Sequence, residues 1–326
     1  QGSRMPLPEA APLAHTEISP EPRFSSGFSS WDRLLGGGFV KGSAILLGGD
    51  PGIGKSTLLL QMAIHLTRQG KKVLYCSGEE SAQQIKMRSL RLTQELNEEL
   101  IFYPSTAVAD IQKVLAGDDF AFVILDSIQT SYSRNHTSGP GSVAQVRESA
   151  YELRNFLEGK DTVLLFIAHV TKEGSIAGPK LLEHLVDAVF YFEGERFRDL
   201  RLIRAFKNRF GHVNDIAIFE MTSEGLVEIK DPTGHFLEDE KSEQHPGIAI
   251  SAVREGSLIL VVEIQALASE ILYQAPKRAT DGLDLNRLQL LAAVLDKYAG
   301  MVLRNYDLFV KIAGGVMVSD PAVDLA

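Results

Sequence analysis

Residues 48–57 read Gly48-Gly-Asp-Pro-Gly-Ile-Gly-Lys-Ser-Thr57, and this stretch decides the fold. Gly49, Gly54, Lys55 and Ser56 complete the phosphate-loop pattern G-x-x-x-x-G-K-[ST]. Glycines let successive backbone N–H groups curl around an anion without a side chain in the way. Lysine then reaches the β- and γ-phosphates, and serine offers its hydroxyl to Mg²⁺. The flanks agree with the motif. Ala44–Leu47 is an apolar run that predicts a buried strand. Thr57–Leu66 places Leu58, Leu59, Met62, Ala63 and Leu66 at helical spacing. Strand, glycine loop and helix together aim a helix N-terminus at phosphate. The expected nucleotide contacts are Gly49, Asp50, Pro51, Gly52, Ile53, Gly54, Lys55, Ser56 and Thr57.

Outward from the loop, β-like and helix-like segments alternate. Strands are predicted at 72–77, 100–103, 120–125 and 162–168, and helices at 81–92 (capped by Ser81), 108–115 and 143–157. That alternation implies a mostly parallel α/β sheet with helices on both faces. After residue 186 the helical pattern stops. Residues 186–192, 200–206, 216–221 and 226–229 suggest an antiparallel extension of the sheet. A polar junction at 231–247 precedes a second unit with strands at 248–253, 258–265 and 308–313 and a helix at 287–297. The expected organisation is a tag remnant and linker at 1–23, a nucleotide-binding domain at 24–230, a linker at 231–247 and a second domain at 248–326 that ends early.

Composition narrows the class. The chain has 326 residues, 44% hydrophobic, enough for one large core or two ordinary ones. A net charge of −9 leaves room only for local basic surfaces, not a uniformly nucleic-acid-coated protein. The single cysteine, Cys76, excludes a disulfide framework and a multi-cysteine zinc site within this chain, and fits a reducing, cytoplasmic setting. Cys76 is read as a small core residue, and Trp31 as core or adenine-side packing. No apolar run reaches membrane-span length, so no membrane association is expected.

Several residues outside the loop carry candidate chemistry. Asp126 ends the run Phe122–Leu125, where a strand-tip carboxylate can support Mg²⁺. Glu79 and Glu80 follow the strand at 72–77, and either can orient or deprotonate an attacking water, Glu79 being the first choice. His169 ends the strand at 162–168, where it can touch the γ-phosphate. Between Arg196 and Arg209 there are six basic residues (Arg196, Arg198, Arg201, Arg204, Lys207, Arg209) against Asp199. Such cations stabilise phosphoryl charge across a subunit boundary or contact a DNA backbone, and periodicity does not choose between the two. Residues 129–142 (Tyr132, Arg134, Asn135, His136) and 170–180 (Lys172, Lys180) are candidate DNA-contact loops. Ser127 lies beside Asp126, but no nucleophile elbow accompanies it, so a hydrolase triad is not expected.

These stretches carry a family resemblance. Leu35-Gly-Gly-Gly38, Gly48–Thr57, Ser77-Gly-Glu-Glu-Ser81, Pro140-Gly-Ser-Val-Ala-Gln-Val-Arg147, His169-Val-Thr-Lys-Glu-Gly174, Ala177-Gly-Pro179 and Leu182-Glu-His-Leu-Val-Asp187 match the bacterial RadA (Sms) family of RecA-like ATPases. Lys207-Asn-Arg-Phe-Gly211 is the most specific of them. The resemblance covers nearly all of residues 24–326. It implies a RecA-like core followed by a Lon-protease-like domain without protease activity. It also implies a homo-hexameric ring on single-stranded and branched DNA, driving branch migration with ATP and Mg²⁺, with RecA and a replicative helicase as possible partners. By the same resemblance Lys55 and Ser56 bind phosphate and Mg²⁺, Asp126 supports the metal and Glu79 activates water. His169 takes the place of the γ-phosphate sensor, and Lys207 and Arg209 act in the motor across subunits. The family's N-terminal four-cysteine zinc module has no counterpart here. Two other readings stand beside the DNA motor: a non-DNA ATPase switch resembling KaiC, and a nucleotide-gated scaffold that loads a replicative helicase.

Overall fold

The structure is a computed structural model that describes residues 21–169, 179–194, 200–213, 215–232, 246–271, 276–313 and 317–326. The tag remnant, most of the two expected linkers, Arg196, Arg198 and Asp199, and the 170–178 part of the second loop lie outside the described residues.

The described chain begins with β1 (Arg23–Phe24), α1 (Ser29–Leu34) and β2 (Phe39–Val40). It continues through β3 (Ala44–Gly49), α2 (Lys55–Arg68), β4 (Val73–Ser77), α3 (Ala82–Leu92), β5 (Leu100–Tyr103), α4 (Val108–Gly117) and β6 (Phe122–Asp126). Then come α5 (Val143–Leu157), β7 (Val163–His169), the short α6 (Pro179–Leu182), β8 (Ala188–Glu193), β9 (Leu200–Asn208), β10 (Ile216–Thr222) and β11 (Gly225–Glu228). Among the described residues, nine of these strands form one sheet in the order β11-β10-β9-β8-β3-β7-β6-β4-β5. The half from β8 to β5 is parallel, and β9, β10 and β11 extend it antiparallel. The glycine loop therefore leaves the carboxyl end of the central strand, where open parallel sheets place their ligands.

Every residue of β3 is buried. One apolar cluster covers one face of the sheet, from Trp31 and Phe39 through α2 to Phe190 and Phe219. A second cluster, from α4 and α5, covers the other. Two covered faces explain why the strands read as unbroken apolar runs. Trp31 belongs to this core: it is fully buried with its ring 4.9 Å from that of Phe190. Cys76 is buried too, and burial pushes its thiol up to about 12. Helix starts follow local chemistry. Ser81 accepts from Gln84 N–H while the Gln84 side chain accepts from Ser81 N–H, a reciprocal cap that fixes the start of α3.

A second, four-stranded sheet follows: β12 (Ile248–Glu255), β13 (Leu258–Glu270), β14 (Arg278–Asp281) and β15 (Tyr306–Ile312), in the order β12-β13-β15-β14, with α7 (Leu285–Tyr298) between β14 and β15. Its core runs into the first sheet, because Leu202, Ile216 and Ile218 share one apolar cluster with Val253, Leu260 and Val262. Among the described residues, no helix is long and apolar enough to cross a membrane.

Candidate nucleotide site

Gly54 caps α2 in a left-handed conformation, with φ of 119°. Leu58 N–H returns to its carbonyl at 3.0 Å, so the helix starts directly from the loop. Gly49 comes so close to β8 that a Cβ there would stand 2.5 Å from the Phe192 carbonyl oxygen. Lys55 is almost fully buried. Its Nζ donates to the Gly49 and Asp50 carbonyls at 2.7 and 2.9 Å, which holds the ammonium over the loop. Burial lowers its pKa to about 8, against the pull of Asp126, Asp50 and Glu79.

The strand register gathers the other groups here. His169 lies opposite Gly49, and Asp126 opposite Ser77. His169 Nδ1 is 3.4 Å from Lys55 Nζ, and Nε2 is 3.5 Å from Glu79 Oε1. A ring nitrogen facing an ammonium accepts, which leaves the ring proton on Nε2, aimed at Glu79. Ser127 Oγ donates to the same Glu79 oxygen at 2.6 Å. The His169 pairing, with help from Ser127 and Lys55, holds the Glu79 carboxyl below its ordinary value despite partial burial. Glu79 is therefore a carboxylate at neutral pH, beside the lysine and open enough to meet water.

Glu80 faces elsewhere. It pairs with Arg88 of α3, and its second oxygen is buried without a partner. The structure thus separates the two glutamates that the sequence left as alternatives, with Glu79 on the loop side. Asp126 is buried, and burial raises its pKa while hydrogen bonds from Tyr75 and Ser56 pull the other way. The Tyr75 hydroxyl donates at 2.7 Å. A buried strand-tip carboxylate linked to the loop serine is the hard-oxygen pair that suits Mg²⁺.

The basic run divides. Arg201 turns inward, and its Nε donates to the Ile53 carbonyl at 3.1 Å, bracing the loop from β9. Arg204 pairs with Glu255 at 2.7 Å and reaches Glu193 at 3.5 Å. Lys207 Nζ donates to the Glu183 and Val186 carbonyls, the latter at 2.8 Å. Arg209 pairs with Asp187 at 2.9 Å. The described cations of the run therefore form no single basic face.

Lys207 and Arg209 also stand apart from the glycine loop. Asp187 N–H donates to the Ala44 carbonyl, so Arg209 lies level with Ala44, the first residue of β3. Gly49 is at the far end of that strand, about 16 Å away at roughly 3.3 Å per residue. The loop at 129–142 is tied down more firmly than its composition suggests. The Gln145 amide donates to the carbonyls of Ser133, His136 and Ser138 and accepts from Ser133 N–H. Arg134 is paired with Asp110 at 3.3 Å, and Tyr132 is partly exposed.

Sequence reasoning missed Tyr75 and Arg88, and gave Arg201 no role at the loop. Tyr75 lies within an apolar strand, and Arg201 was one cation among six. Only the folded arrangement reveals what each touches.

Comparisons with known proteins bear on the family and the fold. Residues 14–175 match the family model of an AAA domain. The chain is 49% identical over 316 residues to the DNA repair protein RadA of Bacillus subtilis (strain 168), covering 97% of this chain and 69% of that protein. It is 45% identical over 329 residues to the DNA repair protein RadA of Helicobacter pylori (strain J99 / ATCC 700824), covering 99% and 72%. Among solved structures, a KaiC-like protein from Pyrococcus horikoshii OT3 superposes with a TM-score of 0.51 at 18% identity, over 64% of this chain and 100% of that one. At that identity the likeness speaks for the RecA-like α/β fold alone. On the strength of the close relatives, this chain belongs to the family of the DNA repair protein RadA.

Proposed function

We propose that the chain is an ATP-hydrolysing motor that acts on DNA in recombinational repair, promoting branch migration as a homo-hexameric ring. The observation that carries this reading is the convergence of Lys55, His169, Glu79 and Asp126 on one glycine loop. Lys55 exchanges its loop carbonyls for β- and γ-phosphate oxygens. Glu79 orients and deprotonates the attacking water, held in place by Ser127 and His169. His169 contacts both Lys55 and Glu79, so it feels the γ-phosphate come and go. Ser56 and Asp126 would hold Mg²⁺, which when bound draws charge from the β- and γ-phosphates.

Family membership supports the DNA side, since the relatives are DNA repair proteins. Tyr132 and Arg134, on the loop after the Asp126 strand, are candidates to meet DNA. The basic turn at 207–211 lies too far from its own glycine loop to serve it, which favours action on a second copy's phosphate. In this reading 24–230 is the motor domain, and 248–326 a Lon-like module without proteolysis. RecA and a replicative helicase remain candidate partners.

The test is ATP turnover by the oligomer with and without single-stranded DNA, alongside branch migration. We expect DNA to stimulate turnover and Lys55→Ala to abolish both activities. DNA-independent turnover would favour the KaiC-like switch. Helicase loading that survives in Lys55→Ala, without branch migration by the parent, would favour the scaffold.

A further inference from the structure

The glycine turn at 35–38 and the basic turn at 207–211 meet in space. The Asn208 side chain donates to the Leu34 carbonyl at 2.6 Å and accepts from Phe210 N–H at 3.1 Å. The Arg23 guanidinium lies 6.0 Å from the Phe210 ring centroid, over its face. Asn208, Phe210 and Gly211 thus seat the backbone of the turn, leaving Lys207 and Arg209 to carry charge.

Asp187 anchors the same turn from the other side. Its Oδ1 accepts from Arg209 Nη1 at 2.9 Å and lies 3.4 Å from Arg154 Nη2 of α5. Its Oδ2 accepts from Ala44 N–H, the first amide of the phosphate-loop strand, at 3.0 Å. The main chain repeats the link: Asp187 N–H donates to the Ala44 carbonyl at 2.8 Å, and the Asp187 carbonyl accepts from Arg209 N–H at 3.2 Å. The Asp187 side chain is 13% exposed and that of Arg209 is 58% exposed. A nearly enclosed carboxylate therefore holds one nitrogen of a guanidinium whose side chain is otherwise largely exposed.

An exposed arginine samples many rotamers, and a charge stabilises a transferring phosphoryl group only if it is already aimed. A fixed carboxylate that holds one guanidinium nitrogen supplies that aim, because it restricts where the planar group can swing. We propose that Asp187 is a positioning residue: it holds Arg209 outward toward a phosphate bound by a second copy of this chain, and ties that aim to the strand carrying its own glycine loop. This rests on the reading of residues 207–211 as acting across a subunit boundary.

Mixed oligomers test it. Lys55→Ala has no working phosphate site but an intact basic turn. Arg209→Ala and Asp187→Asn have an intact site but an impaired turn. Alone, Asp187→Asn should lose about tenfold in turnover at saturating ATP, with its KM for ATP within about twofold, because an interaction made only in the transition state is lost. Mixed with Lys55→Ala, both turn variants should regain turnover well above either parent variant, since intact sites then face intact turns. If Arg209→Ala with Lys55→Ala stays inactive, the subunit-crossing reading fails, and this inference falls with it. If that pair recovers but Asp187→Asn with Lys55→Ala does not, Asp187 serves its own subunit and only this inference is overturned. Parent-like turnover by Asp187→Asn alone would also overturn it. If Asp187→Asn does not fold, Asp187→Glu, which keeps the charge but moves it by one methylene, replaces it in the same mixtures with the same outcomes.

Discussion

Gly36 and Phe210 cross backbone on backbone: a Cβ on Gly36 would stand 2.1 Å from the Phe210 carbonyl oxygen. Gly36 also has a φ of 68°, in the left-handed region. From the other strand of the crossing, a Cβ on Gly211 would meet the Leu34 carbonyl oxygen at 2.5 Å. Gly36→Ala should therefore move the basic turn rather than merely strain its own loop. We expect a loss of about 2–4 kcal/mol in stability, since a backbone clash adds to the conformational cost. Turnover should fall while nucleotide binding is retained, because the glycine loop lies at the other end of the sheet. Urea denaturation, with nucleotide affinity measured on the same sample, checks both parts.

Glu79→Gln should keep nucleotide affinity and lower turnover by about 10²- to 10⁴-fold, the usual yield of a positioned base. Glu80→Gln should stay within about fivefold of the parent, because Glu80 is spent on Arg88 and only local packing changes. Single-turnover hydrolysis of the two variants separates them. Equal losses would return the assignment to a shared role.

Much of this site was legible in the chain. Ala44–Leu47 and Val143–Leu157 declared themselves because a parallel strand buried on both faces is apolar throughout and a covered helix repeats every 3.6 residues, and Leu100–Tyr103 because even as a half-buried edge strand it is a continuous apolar run. What stayed hidden depends on pairing. Arg278–Asp281 is a polar edge strand with no alternation to betray it, held by parallel pairing to Tyr306–Ile312. Glu79 and Glu80 are adjacent and chemically alike, and only their partners in three dimensions, Arg88 for Glu80 and Ser127 with His169 for Glu79, tell them apart. The six cations of the basic run look alike in one dimension. In three, Arg201 braces Ile53 while Arg209 faces outward at the opposite end of the sheet.

Lys55 makes nucleotide binding depend on pH. Its pKa is lowered to about 8 in the folded chain. A bound phosphate favours the ammonium and raises that value again. Below pH 8 the lysine is already charged and binding takes up no proton. Above it, binding must recharge the lysine, so the Kd of a non-hydrolysable ATP analogue should rise by up to about tenfold per pH unit. Calorimetry in buffers of different ionisation enthalpy should detect proton uptake at pH 9 and almost none at pH 7. Lys55→Arg, charged throughout this range, should bind with no such slope. A flat profile in the parent would mean that burial does not depress this lysine.

Asp215 joins the two sheets. It is 3% exposed. Its carboxylate accepts from Arg33 Nη1 at 2.9 and 3.0 Å, and from Ser257 N–H and Oγ at 3.1 and 2.8 Å. Ser257 sits in the turn between β12 and β13, and Arg33 on α1, so one carboxylate pins the second sheet to the nine-stranded core. Asp215→Ala removes the charged partner of Arg33, which keeps only Ser257 Oγ and the Ile216 carbonyl, and takes the carboxylate from the Ser257 and Ile216 amides, at a cost of about 2–4 kcal/mol. Because Leu202, Ile216 and Ile218 share a core with the second sheet, the parent should unfold in one transition. The variant should show an earlier loss of the second unit, with ATP binding kept. Urea unfolding followed by fluorescence of Trp31, which lies in the core of the first sheet, and by far-ultraviolet dichroism checks this: the two probes should coincide in the parent and separate in Asp215→Ala.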